Sequence, residues 1–154
     1  VNAANGWLEL GDSAEAAREL RRLSPAAMGH ADVLDLRWRL YAARGQWDSA
    51  LDVARLVTTV APDRPSGWIH QSYTLHEMKR TEEALHLLLP IVEQFPDEVT
   101  IAYNLACYTC QLGDLVGAKI WLARAAKGWG KLPLKQMAMD DPDLVPLREY
   151  ISTL

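Results

Sequence analysis

The residues of this chain that could carry covalent or metal chemistry are few, and their spacing argues against most of it. Cys107-Tyr-Thr-Cys110 is a lone C-x-x-C. Redox pairs of that form sit at a helix N-terminus, where the dipole lowers the thiol pKa, and this one falls inside a predicted helix. A zinc site would need two more ligands, and neither a second C-x-x-C nor an H-x3-5-H occurs. His70 and His76 are six residues apart, so they point to different sides of a helix. His76-Glu77 opens like H-E-x-x-H, but Arg80 stands where the second histidine belongs. His30 and His86 have no ligand-type neighbours at useful spacing. The carboxylate pairs Glu82-Glu83 and Asp140-Asp141 read as helix-terminal charges rather than as an acid and a base. No nucleophile elbow, phosphate loop or dinucleotide fingerprint is present. The expectation is a protein that is not an enzyme and needs no cofactor or metal; a thiol redox or metal role for the two cysteines is the remote alternative.

The composition narrows the partners. The chain has 154 residues, 49% apolar and 23% charged, the balance of a globular protein. A net charge of -4 gives no basic footprint for nucleic acid. The longest apolar run, Leu87 to Val92, is far short of the ~20 residues that cross a bilayer. Val1 to Gly11 lacks the basic start and apolar core of a signal peptide, and two cysteines make no disulfide framework, so a cytoplasmic setting is expected. The missing initiator Met suggests a fragment or a processed product.

What must position any site is a repeat. Gly11-Asp12, Gly45-Gln46, Lys79-Arg80 and Gly113-Asp114 follow one another at steps of 34 residues. Five residues after each turn start comes an alanine: Ala16, Ala50, Ala84 and Ala118. Apolar residues at helical spacing precede and follow each turn, as in Ile101, Leu105 and Tyr108, then Leu115, Ala118 and Leu122. Gly closes a helix cheaply because it accepts the left-handed conformation. Pro62 and Pro96 close the second helices of units two and three. The pattern predicts helices near 2–10 and 13–23, 30–44 and 47–60, 65–78 and 81–95, 98–112 and 115–128, with Pro90 kinking one of them.

A period of 34 with in-phase small residues, Gly-Asp turns and closing prolines resembles the tetratricopeptide repeat. The resemblance covers most of 1–128 and implies one all-α domain over 1–154. Its repeats would be about 1–28, 29–62, 63–96 and 97–130, with a capping segment at 131–154. Departures are the glycine-free turn at Lys79-Arg80, an early Pro25, and Trp38 and Ser72 where Ala4 and Ala106 are small. Leu144, Leu147, Tyr150 and Ile151 give the cap an apolar face, and Asp141 or Asp143 could start its last helix.

The resemblance also implies a right-handed superhelix of antiparallel helix pairs whose first helices line a concave groove. Shifts of 34 then give the stripes Asp35, Arg39 and Ala42; Ile69, Tyr73 and His76; Tyr103, Cys107 and Cys110. Each is spaced i, i+4, i+7 and so lies on one helix face. Glu77, Asn104 and Gln111 fall beside it. A peptide or protein partner is expected there, with Tyr73 and His76 exposed. Some members of the family grip the C-terminus of heat-shock chaperones with a Lys, Asn and Arg clamp. The corresponding Val1, Asn5, Leu36, Ser66 and His70 match only at Asn5, which disfavours that partner. Alternatives are self-association, an interdomain scaffold and a secretion-type chaperone. Five tryptophans suit packing between helices, and Trp129, between Gly128 and Gly130, suits an anchor for the cap.

Overall fold

The turns explain the architecture. At Gly11, Gly45 and Gly113 the backbone takes positive φ of 78°, 64° and 87°. The next residue's N–H returns to a carbonyl five positions back: Asp12 to Trp7 (2.8 Å), Gln46 to Tyr41 (2.9 Å) and Asp114 to Thr109 (3.0 Å). These bonds satisfy helix-end carbonyls and reverse the chain sharply. Asp12 and Asp114 then cap the following helix, with Asp12 Oδ1 accepting from Ala14 and Glu15 N–H and Asp114 Oδ1 from Gly117 N–H.

The computed structural model describes all residues 1–154, and the protein is all-helical. The helices are α1 (Asn2–Glu9), α2 (Ser13–Arg21), α3 (Pro25–Met28), α4 (Ala31–Ala43), α5 (Trp47–Val60), α6 (Ser66–Glu77), α7 (Thr81–Leu88), α8 (Val99–Gln111), α9 (Leu115–Trp129), α10 (Lys131–Asp140) and α11 (Arg148–Ser152). A helix begins in every segment where one is expected, and all but the one expected over 81–95 run close to their expected length. The contacts divide the chain into two compact units, Val1–Met78 and Lys79–Leu154.

In the first unit α1 packs on α2, α4 on α5, and α5 on α6. Its core joins Ala4, Ala16, Ala17, Leu20, Val33, Leu36 and Leu40. The α5–α6 contact is close: a Cβ on Gly67 would lie 2.7 Å from the Thr58 backbone nitrogen. Pro25 does not merely shorten the preceding helix. It starts a separate turn, α3, because Pro at the first helical position needs no N–H partner and Ser24 caps it through Ala27 N–H.

In the second unit α8 packs on α7 and α9, and α10 packs on α9. Pro90 does more than kink a helix expected to reach residue 95. The α-helix stops at Leu88 and tightens into a 3-10 turn, Leu89–Ile91, since Pro90 has no N–H for the next α-helical bond. The cap ends as a 3-10 segment, Pro142–Leu147, running into α11, with Leu144, Leu147 and Ile151 buried. All four phased alanines are fully buried, as close helix contact requires.

Candidate functional site

In the first unit the site grows from the middle of α4. Ala4, Ser72 and Ala106 occupy equivalent positions in the 34-residue register and are fully buried. Trp38 is the fourth member of that set and stays partly exposed. Its indole stacks on the His70 ring at 3.7 Å and 7°, and its Nε1–H donates to Thr74 Oγ1 at 2.9 Å. Tyr73 meets Trp38 edge-on at 5.9 Å and lies 6.3 Å from Trp47. Such pairs add roughly 0.5–1.5 kcal/mol beyond the area they bury, which fixes the rings.

These rings border an open cleft of about 340 Å3 lined by Leu8, Trp38, Arg39, Ala42, Ala43, Trp47 and Tyr73. Tyr73 keeps 38% of its surface exposed there. The lining is largely apolar and aromatic, and its one charged group is the Arg39 guanidinium, which also donates to Asn5 Oδ1 of α1. Arg39, Ala42 and Tyr73 of the expected stripes therefore meet around one cavity.

Asp35 is used differently. Its carboxylate accepts from Ser66 Oγ (3.2 Å) and Arg64 Nη2 (3.4 Å), at the N-terminal end of α6. Asp35 Oδ1 also lies 3.3 Å from His70 Nδ1, near enough for an ion pair when the ring is protonated but not aligned as a hydrogen bond. Arg64 donates to Asp32 at 2.7 Å, and this bond holds the Asp32 carboxyl below its ordinary range. Ile69 and Glu77 are partly buried. His76, expected to be exposed on the groove face, is instead buried within the first unit at 7% exposure.

The second unit departs most from the expectation. Tyr103, Cys107 and Cys110 are buried on α8, not open to a partner. The chain's own segment after α10 covers them: Tyr103 O–H donates to Asp141 Oδ2 at 2.6 Å, and Cys107 Sγ lies 3.7 Å from the same oxygen. Gln111 donates its amide to the Asp143 carbonyl at 2.9 Å, and Asn104 is partly buried. Asp141 Oδ1 meanwhile accepts from Asp143 N–H, so Asp141 is the residue that restarts the chain. Trp129 packs 5.5 Å from Tyr103, in the anchoring position.

Cys107 Sγ and one carboxylate oxygen each of Asp141 and Asp143 lie within 4.8 Å of one another, a grouping the sequence does not suggest. Burial, then the nearby carboxylates, push the Cys107 thiol far above its usual range. Burial and the bond to Asp141 raise the Tyr103 hydroxyl likewise, and Cys110 shifts upward through burial and Asp143. A thiol held protonated in this way is a poor nucleophile.

Sequence reasoning missed Trp38, Trp47 and Leu8 as cleft residues, and Asp141 as the partner of Tyr103. Trp38 did carry a signal, as a large residue at a register position that is otherwise small. Asp141 carried none, because 38 residues separate it from Tyr103. No model of a known protein family matches the chain, and a search of curated proteins finds no significant match.

Proposed function

We propose that this protein is a peptide- or protein-binding module of the tetratricopeptide type rather than an enzyme. In this reading it uses the aromatic cleft of its first unit to take an uncharged apolar or aromatic side chain from an extended partner. The observation that carries the reading is the cleft itself. Three ring systems, fixed against one another and still open to solvent, surround an apolar floor with a single cation at the edge. Tyr and Trp offer large, rigid contact areas at low entropic cost and dominate binding hot spots. The 34-residue repeat with its Gly turns supports the family assignment and, with it, a right-handed superhelix. Arg39 and Asn5 would hold the ligand backbone beside the cleft.

The test is to pan a random peptide library against the wild-type protein and measure the selected peptides on Tyr73→Ala and Trp47→Ala. Retained helicity with affinity reduced about tenfold or more by either change supports the reading. Unchanged affinity in both variants, or selected peptides without an apolar or aromatic consensus, sinks it.

A second reading, self-association, rests on the exposed apolar residues Leu112, Leu115, Val116 and Ile120 around the start of α9. Sedimentation over a range of concentrations distinguishes it, since a monomer throughout rules it out.

A further inference from the structure

The opposite side of α4 carries a second arrangement. Arg37, Tyr41 and Arg44 form an i, i+4, i+7 stripe, displaced by two residues, or about 200°, from Asp35, Arg39 and Ala42. Together with Arg21 at the end of α2, these residues rim a pocket of about 190 Å3. Its floor is apolar: Ala17, Leu20, Met28 and Leu40. No acidic residue lines it, although the chain has 20 acidic residues against 16 basic ones.

None of the three guanidinium groups has a carboxylate partner. On α2, Arg18 and Arg22 pair with Glu15 and Glu19, whereas Arg21 between them pairs with neither and lines the pocket. Arg44 donates to Ser13 Oγ and to the Ser13 carbonyl, neutral acceptors that leave its charge uncompensated. Arg37 is partly buried, with no carboxylate beside it in the pocket. An anion placed in this pocket would meet cationic side chains from three sides and no carboxylate, a favourable charge balance. Guanidinium groups suit this task because they grip a carboxylate through paired N–H donors.

From this geometry we infer that the Arg21–Arg37–Arg44 pocket is a second binding site, for an acidic peptide in which an aliphatic side chain is flanked by carboxylates. The aliphatic group fills the floor formed by Leu20, Met28 and Leu40. The carboxylates bridge the arginines. The site is separate from the aromatic cleft, and its occupation requires no residue of that cleft.

The experiment is fluorescence anisotropy of the labelled peptide Glu-Leu-Asp-Leu-Glu on the intact protein, with Gln-Leu-Asn-Leu-Gln and Glu-Ser-Asp-Ser-Glu as controls. Expected are saturable binding that weakens as salt rises from about 50 to 500 mM, and at least roughly tenfold weaker binding of both controls. Arg21→Gln with Arg37→Gln should weaken the acidic peptide by roughly tenfold or more. Neither side chain makes an ion pair or a side-chain hydrogen bond, unlike Arg44, which is held on Ser13, and circular dichroism checks that the variant remains helical. Tyr73→Ala with Trp47→Ala should leave this binding intact. Absence of binding to the wild-type protein, or affinity unchanged by the double Gln variant, overturns the proposal. Equal binding of Glu-Ser-Asp-Ser-Glu, or displacement by a single-stranded oligonucleotide at equal charge concentration, overturns its commitment to an apolar acidic peptide.

Discussion

The two units use one repeat register to opposite ends. On α4 the stripe Asp35, Arg39 and Ala42 lies beside a cleft that remains open, and the only residue on it tied down by ion pairs is Asp35. On α8 the equivalent stripe Tyr103, Cys107 and Cys110 is closed by Asp141 and the segment that follows it. One unit leaves its face available, and the other satisfies the same face from within. A register position thus defines where a side chain points, not whether anything from the same chain will cover it.

The largest expected effect is at Trp38, the residue at the centre of the aromatic cluster that lines the cleft. Trp38→Ala removes the stack on His70 and the bond to Thr74, and should cost the first unit about 3 kcal/mol in chemical denaturation. A loss below about 1 kcal/mol would mean that the aromatic cluster is not a structural unit.

Next comes the lock on the second unit. Asp141→Ala leaves the Tyr103 hydroxyl without its acceptor and the 3-10 segment without its cap, at a cost of about 2 kcal/mol. Trp129 fluorescence should report the release, because that ring sits against Tyr103. Unchanged fluorescence and stability would show that the α8 face is not held closed by this contact.

The units should also differ in alkali. Cys107 and Tyr103 have native pKa values raised above their unfolded ones, so their contribution is fully present below the unfolded values and is lost as pH rises beyond them. Above pH ~8.5 Cys107 alone should remove about 1.4 kcal/mol for each further pH unit, with Tyr103 adding to the loss above pH ~10. Denaturant titrations followed through Trp129 at pH 7 to 10.5 measure the slope, and Cys107→Ala should flatten it. An identical slope in that variant would remove the buried thiol as its cause.

The smallest effect separates the turns. Lys79 holds a positive φ of 64° where the other three turns have Gly. Lys79→Gly should therefore stabilise by about 0.5–1 kcal/mol, and Gly45→Ala should destabilise by about 1 kcal/mol, both read from denaturation midpoints.

Much of this was legible before any tertiary information. Most helix starts and stops followed from Gly11, Gly45, Gly113 and Pro62, since each acts through its own backbone geometry, whereas the helix expected to run to Pro96 already ends at Leu88, ahead of Pro90. Lys79-Arg80 marked a turn without glycine, and the left-handed Lys79 is its consequence. The candidate site was legible only in part. Arg39 and Tyr73 border the cleft as the register suggested, whereas His76 is buried and the α8 residues are covered.

The sequence by itself determined the 34-residue period, the helices and the small residues where helices touch, because these depend on interactions spanning one to five residues. Tertiary structure alone decided that Trp38, Trp47 and Tyr73 would line one cleft, that Arg21, Arg37 and Arg44 would share a pocket, and that Asp141 would close the face of α8. The physical reason is distance along the chain. Periodicity orients a side chain on its own helix, but what it meets is set by residues tens of positions away, whose arrival leaves no periodic trace.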